Sequence, residues 1–186
     1  MQVEAIQSFL SGHDVFVSLP IGYGKSIIYA ILPLIFDRIR GKQGSIIVCI
    51  SPLTAIMMDQ QTKFQNMGIS AEFVGEGQRD PTAWRRVLNG EVQLVYISPE
   101  HIVCNPRYHH VLRSGTYKEN LFGVVVDEAH CGNTWEDQFR TAYASLGDLR
   151  SIIPSDVNFM AVTATATHAT FEIVKERLSL RNPIVS

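Results

Sequence analysis

Gly22-Tyr23-Gly24-Lys25-Ser26 stands where one apolar run, Asp14 to Leu19 (DVFVSL), passes into a second, Ser26 to Phe36. A strand that turns through glycines into a helix is the address of a phosphate-binding loop. The glycines let the backbone turn tightly and aim successive N–H groups at one point, and the helix start adds partial positive charge. A lysine then reaches the outer phosphates, and a hydroxyl is available to Mg²⁺. The strict pattern G-x-x-x-x-G-K-S/T is not met, because Leu19 occupies the position of its first glycine. About a hundred residues on, Leu121 to Val126 (LFGVVV) reads as a buried strand tipped by Asp127-Glu128-Ala129-His130. An apolar strand ending in two acids is the second half of a nucleoside-triphosphate site. One carboxylate serves the metal and its neighbour polarises the attacking water.

These groups need a scaffold that brings distant strand ends together, and the chain reads as one. Helical and strand-like stretches alternate: a helix over Gln2 to Leu10, a strand over Asp14 to Leu19, and a helix from the loop to about Arg40. A strand over Ser45 to Ile50 and a helix from Leu53 to about Asn66 follow. Then come a short strand (Ala71 to Val74), a helix near Pro81 to Leu88, a strand (Val92 to Ile97) and an irregular stretch holding His101, His109 and His110. The acid-tipped strand comes next, and a helix, a strand (Asn158 to Val162) and a last helix (Thr167 to Leu178) close the pattern. Continuously apolar strands separated by helices imply an α/β fold, a mostly parallel sheet covered by helices on both faces in three layers. Ligands of such sheets bind beyond the carboxyl ends of the strands. Five strand ends carry polar, turn-compatible residues there: Gly22 to Ser26, Ser51-Pro52-Leu53, Ser98-Pro99-Glu100, Asp127-Glu128 and Thr163-Ala164-Thr165.

Composition narrows the class. With 186 residues, 46% of them hydrophobic, the chain suits one domain with a real core. Sixteen basic against eighteen acidic residues leave a formal charge of −2, so any nucleic-acid contact is local rather than driven by a global field. The three cysteines, Cys49, Cys104 and Cys131, fit neither a disulfide framework nor a zinc site, and point to a reducing compartment. The longest apolar stretch, Ile27 to Phe36, contains Pro33 and falls well short of the roughly 20 residues that cross a bilayer, so no membrane partner is expected. No secretion signal opens the chain, and the first helix reads as already under way at Met1.

The motif set as a whole resembles the first motor domain of superfamily-two helicases and, within them, the RecQ-like DNA helicases. The resemblance runs through Gln2, Pro20 to Ser26, Ser51-Pro52-Leu53 with Asp59-Gln60, Tyr96-Ile97-Ser98-Pro99-Glu100, Asp127-Glu128-Ala129-His130-Cys131 and Thr163 to Thr167. The stretch Cys131 to Arg140 (CGNTWEDQFR) carries it toward the RecQ type. It implies a RecA-like P-loop NTPase fold, with residues 1–186 as the ATP-binding lobe and the second lobe outside them. The cofactors implied are ATP and Mg²⁺, and the partner is single-stranded or forked DNA. The activity implied is ATP-dependent 3′-5′ unwinding in DNA repair and recombination, with nuclear placement.

Residue by residue, the resemblance implies that Gln2 reads the adenine edge and that Ile21, Gly22, Tyr23, Gly24 and Lys25 line the phosphates. Ser26 and Asp127 would serve Mg²⁺, and Glu128 would position or deprotonate water. His130, Thr163, Ala164 and Thr165 would pass the nucleotide state toward DNA. Ser51, Pro52, Leu53, Ser98, Pro99 and Glu100 would contact the strand backbone, and Trp135, Phe139 and Arg140 would form the aromatic and basic part of a DNA-sensing loop. Departures from the family pattern are Ile21 in place of a threonine, Gly132 in place of an aliphatic residue and Glu136 in place of a glycine.

Simpler readings stand beside these. Ser51-Pro52 and Ser98-Pro99 are also ordinary helix-initiating pairs, Trp135 and Phe139 could cover a core edge, and the histidines lack metal-ligand spacing and read as surface residues. Two further functions compete. One is a truncated or decayed paralogue, a nucleotide-dependent nucleic-acid-binding module without turnover; the other is a small-molecule kinase, for which the chain offers no recognisable lid or acceptor pocket.

Overall fold

Runs of isoleucine and valine build the centre of the molecule. In the computed structural model, which describes residues 1–130 and 137–186 with the side chains of 137–140 outside that set, strands β2 (Ile46–Ile50) and β5 (Leu121–Val126) are buried at every residue. Strands whose both faces are covered need no polar alternation, and these have none. With β1 (Val15–Ser18), β3 (Ala71–Val74), β4 (Leu94–Ile97), β6 (Asn158–Thr163) and β7 (Ile184–Val185) they form one seven-stranded sheet, in the order β3-β4-β2-β5-β6-β1-β7. Every pairing is parallel.

The strand period of two sorts the core. Ile46, Val48 and Ile50 of β2 and Val124 and Val126 of β5 point to one face, where α5 (Ala83–Leu88), α6 (Pro99–Cys104), α7 (Pro106–Leu112), α8 (Gly115–Asn120) and α10 (His168–Arg177) contribute buried side chains. Ile47, Cys49 and Val125 point to the other, against α1 (Gln2–Leu10), α2 (Lys25–Ala30), α3 (Leu32–Arg40) and α4 (Thr54–Asn66). The three-layer α/β arrangement expected from the sequence is therefore the arrangement found.

Local departures have local causes. The helix expected to run unbroken from the glycine loop to Arg40 is interrupted at Ile31, because Pro33 has no N–H to give to the carbonyl of Tyr29. The stretch read as irregular around His101, His109 and His110 holds three short helices. Ser98, Asn105 and Ser114 cap them through His101 N (3.4 Å), Arg107 N (3.1 Å) and Tyr117 N (3.4 Å), and proline opens two of them. Helices of six or seven residues show too little of a 3.6-residue period to be read from pattern alone. The helix α9 (Asp137–Ala144) follows the acid-tipped strand, and a 3₁₀ turn over Leu146–Ser151 leads to β6.

One buried acid stitches the amino ends of the strands. The side chain of Asp14 is 2% exposed; it accepts from the backbone N–H of Phe159 (2.7 Å) and Arg181 (2.6 Å) and is paired with the Arg150 guanidinium. These bonds tie the start of β1 to β6 and to the turn before β7. Asp14→Ala leaves Arg150 uncompensated in a largely buried position and two N–H groups without an acceptor. It should destabilise the fold by about 3–5 kcal/mol, read from urea unfolding.

Candidate active site

The register levels the strand ends that carry the polar residues. Ser18 of β1 lies opposite Thr163 of β6, and Val126 of β5 lies opposite Ala161. The residues that follow β1, β5 and β6 therefore leave the sheet side by side, on the edge where parallel sheets bind ligands.

After β1 the chain turns through Gly22 (φ +86°) and Gly24 (φ +75°), and α2 begins at Lys25 with no side chain capping it. Gly24 suits this turn. Its φ lies in the left-handed region, and a Cβ there would meet the Gln2 amide nitrogen at 3.1 Å. Gln2 lies against the loop, donating from Nε2 to the Tyr23 carbonyl at 2.6 Å. Ile21 and Tyr23 point outward, 83% and 65% exposed, which is consistent with a loop that works through its backbone.

Lys25 Nζ lies 3.9 Å from Glu128 Oε1, with the two side chains 11% and 23% exposed. The lysine-bearing loop and the paired acids thus meet at one point of the structure. Glu128 adopts φ +49°, a left-handed turn that a non-glycine residue enters at a cost of about 1 kcal/mol, and its N–H is held by Asp127 Oδ1 at 2.9 Å. Asp127 is 7% exposed. Burial first, and then the charge of Glu128, push its carboxyl up to about 6, against the pull of the Glu128 N–H, the Tyr29 hydroxyl and Lys25.

Two carboxylates side by side, faced by one lysine, form a donor set short of positive charge. That is the deficit a divalent cation meets, and hard oxygen donors suit Mg²⁺. Ser26, the second residue of α2 and half-buried, stands on the same loop. Among the described residues no cluster of three or more His, Cys, Asp or Glu side chains forms a self-sufficient metal cage, so the remaining oxygens would come from phosphate and water.

On the third strand end, His130 Nδ1 lies 2.9 Å from Thr163 Oγ1 and 3.4 Å from Glu128 Oε2. Thr163 Oγ1 in turn bonds both the carbonyl (3.0 Å) and the N–H (3.2 Å) of Thr165. A continuous polar chain therefore runs from Glu128 through His130 and Thr163 into the turn after β6, which includes Ala164.

Two tyrosines that the sequence reading passed over hold Asp127. Tyr29 donates to Oδ2 at 3.2 Å and Tyr143 donates to the Asp127 carbonyl at 3.1 Å. Tyr29 was hidden inside an apolar helix, yet it follows Lys25 by four residues and so shares its face. That spacing was the available signal.

The other expected contacts lie farther along the same edge. Ser98 caps α6, with Pro99 buried and Glu100 half-buried behind it. Ser51 is fully buried with Oγ unpartnered, and α4 starts at Thr54 with Leu53 as its cap, so Ser51-Pro52 precedes the helix rather than opening it. Leu53 is 38% exposed. Trp135 and the side chains of Phe139 and Arg140, expected in the DNA-sensing loop, lie outside the described residues, as do Gly132 and Glu136. Among the described residues no helix is long and apolar enough to cross a membrane.

Residues 1–173 match the DEAD/DEAH box helicase family model. The chain is 34% identical over 184 residues to the ATP-dependent DNA helicase RecQ of Haemophilus influenzae, covering 97% of this chain and 28% of that protein. It is 37% identical over 180 residues to the ATP-dependent DNA helicase hus2/rqh1 of Schizosaccharomyces pombe, covering 94% of this chain and 13% of the relative. It therefore spans about a quarter or less of the curated relatives it matches. Relatives at this level come from a bacterium and a yeast alike, so the similarity fixes no compartment. Among solved structures, the DUF1998 helicase MrfA bound to DNA and AMPPNP superposes with a TM-score of 0.78 at 18% identity, over 99% of this chain and 26% of that one, which establishes the shared fold. Fold, strand-end geometry and matched motifs agree: the chain belongs to the DEAD/DEAH box helicase family and is a RecQ-like first RecA-like lobe.

Proposed function

We propose that this chain is the ATP-binding lobe of an ATP-dependent 3′-5′ DNA helicase of RecQ type, acting in DNA repair or recombination. The observation that carries the reading is the 3.9 Å approach of Lys25 to Glu128 beside Asp127, which brings loop and acids to one place. In this reading the N–H groups of Gly22 to Ser26 and the Lys25 ammonium hold the β- and γ-phosphates, and Gln2 holds the base. Ser26 and Asp127 would hold Mg²⁺, which would supply neutralisation of phosphate charge. Glu128 orients water and takes its proton. His130 and the Thr163 to Thr165 turn relay occupancy to the strand-binding edge, where Pro52, Leu53, Ser98 and Glu100 meet the backbone of a single strand, with the buried Ser51 and Pro99 behind them.

The lysine is the group whose loss reports on binding alone. Removing a charge-assisted contact of this kind costs about 1.5–3 kcal/mol, or roughly ten- to a hundredfold in affinity. Lys25→Ala should weaken binding of a fluorescent ATP analogue by that factor in titrations with Mg²⁺ present. Unchanged affinity in a folded variant would remove the loop from the site.

A second reading, a nucleotide-dependent nucleic-acid-binding module without turnover, draws on the Ile21 departure at the phosphate loop. It predicts the same nucleotide binding and no hydrolysis at any DNA concentration.

A further inference from the structure

Four strand positions from the phosphate loop, at the opposite side of the same sheet edge, a cavity of about 450 Å³ opens beyond the ends of β3 and β4. At a strand spacing of about 4.8 Å it lies roughly 19 Å from the β1 end, so it is separate from the nucleotide site. Its walls include Trp84, Tyr108 and His101, all half-buried, so each presents ring surface to the cavity. Trp84 and Tyr108 meet edge to face, with centroids 5.0 Å apart and planes at 86°. His101 stands edge-on to Tyr108 at 6.2 Å and is anchored through Nδ1 to Ser98 Oγ at 2.9 Å.

A glycine lies against one of these rings. Gly75, the first residue after β3, takes φ +138°, and a Cβ there would meet the His101 ring at 3.4 Å. The loop that follows is held by its own side chains. Arg86 is paired with Glu72 and with Asp80 (2.8 Å), Asp80 accepts from Thr82 N at 2.8 Å, and Gln78 donates to the Phe73 carbonyl at 2.6 Å. A rigid wall spares a ligand the entropy of ordering it.

We infer that this cavity receives one unstacked base of the bound single strand. A volume within the usual range of ligand pockets, aromatic rings as walls and the Arg107 guanidinium at the rim are what a base with its attached phosphate requires. Position argues the same way. Ser98, the residue proposed to touch the strand backbone, is also the residue that fixes His101, so a strand laid along Ser98 to Glu100 passes the cavity mouth. The inference rests on the nucleic-acid-binding reading above and adds to it where a base goes.

The test is oligonucleotide binding by the 186-residue chain, followed as the anisotropy of a labelled fifteen-nucleotide single strand in which one abasic position is moved along the sequence. Trp84→Leu should weaken binding about 5- to 150-fold, the fold-change of one lost base–aromatic stack, while Trp84→Phe, which keeps a ring, should remain near wild type. A single abasic position should cost the wild type the same factor and cost Trp84→Leu nothing further. Wild-type affinity in a folded Trp84→Leu overturns the pocket and leaves the parent reading standing. Should Trp84→Leu fail to fold, the abasic scan on the wild type decides, and no sensitive position overturns the pocket. A wild type that binds ATP and no oligonucleotide overturns both readings.

Discussion

Glu128→Gln, placed in this lobe joined to a second RecA-like lobe, is expected to cut ATP turnover by about 10²- to 10⁴-fold, the span that a positioned general base contributes, while ATP still binds. Glutamine keeps the size and the hydrogen-bonding reach of the side chain and removes its charge and basicity. Nothing proposed to hold phosphate is touched, since Lys25 and the loop N–H groups stay. The change also removes the nearest like charge to Asp127, whose carboxyl is pushed up in part by Glu128. Asp127 is then ionised over a wider pH range and is the better placed to serve a cation. Loss of the anion facing Lys25 at 3.9 Å leaves the ammonium to the phosphates, so affinity should hold or tighten. Phosphate release and a fluorescent-analogue titration, run on the same preparation, separate the two quantities. If the glutamine variant hydrolyses ATP at the wild-type rate, the base is another group.

How much of this was legible beforehand follows from the length of each signal. The fully apolar runs at Ile46 to Ile50 and Leu121 to Val126 announced a doubly covered parallel sheet, because exposed strand faces cannot be lined with isoleucine and valine. The loop and the acid pair were legible as chemistry, since lysine after glycines and carboxylates at a strand tip are uncommon in packing roles. What stayed hidden was short or depended on partners. Strand β7, Ile184–Val185, is two residues long and owes its existence to β1, through Ile184 N to the Asp14 carbonyl and Ser186 N to the Phe16 carbonyl, both at 2.9 Å. No local pattern encodes a strand of that length. Tyr29 and Tyr143 were invisible as site residues because an aromatic among aliphatics reads as core, and only the third dimension aims their hydroxyls at Asp127. His101 read as a surface residue for the opposite reason, its packing partners Gly75 and Tyr108 being remote or helical in a stretch without periodicity.

The largest effect expected of this protein is a gain. Joined to a second RecA-like lobe, the chain should hydrolyse ATP about 10³- to 10⁵-fold faster than alone, and in a manner stimulated by single-stranded DNA. Among the described residues, Lys25 is paired with Glu128 and the His130 ring lies 3.4 Å from it, and no arginine side chain is seen there to offset charge developing on the transferred phosphoryl group. An arginine supplied from outside a site of this kind is worth that factor, about 4–7 kcal/mol of barrier at about 1.4 kcal/mol per tenfold. The relatives leave room for such a donor, because the chain accounts for 28% of one and 13% of another. In the proposed reading DNA enters the rate through the same closure. The polar chain from Glu128 through His130 and Thr163 ends in the turn after β6, on the edge proposed to carry the strand, so a strand that draws the two lobes together also completes the catalytic site. The measurement is steady-state phosphate release by the lobe and by the two-lobe protein, each with and without a single-stranded oligonucleotide. A two-lobe protein that folds and binds ATP but turns none over, with DNA or without it, would instead favour the binding module, in which the site holds a nucleotide and does not break it.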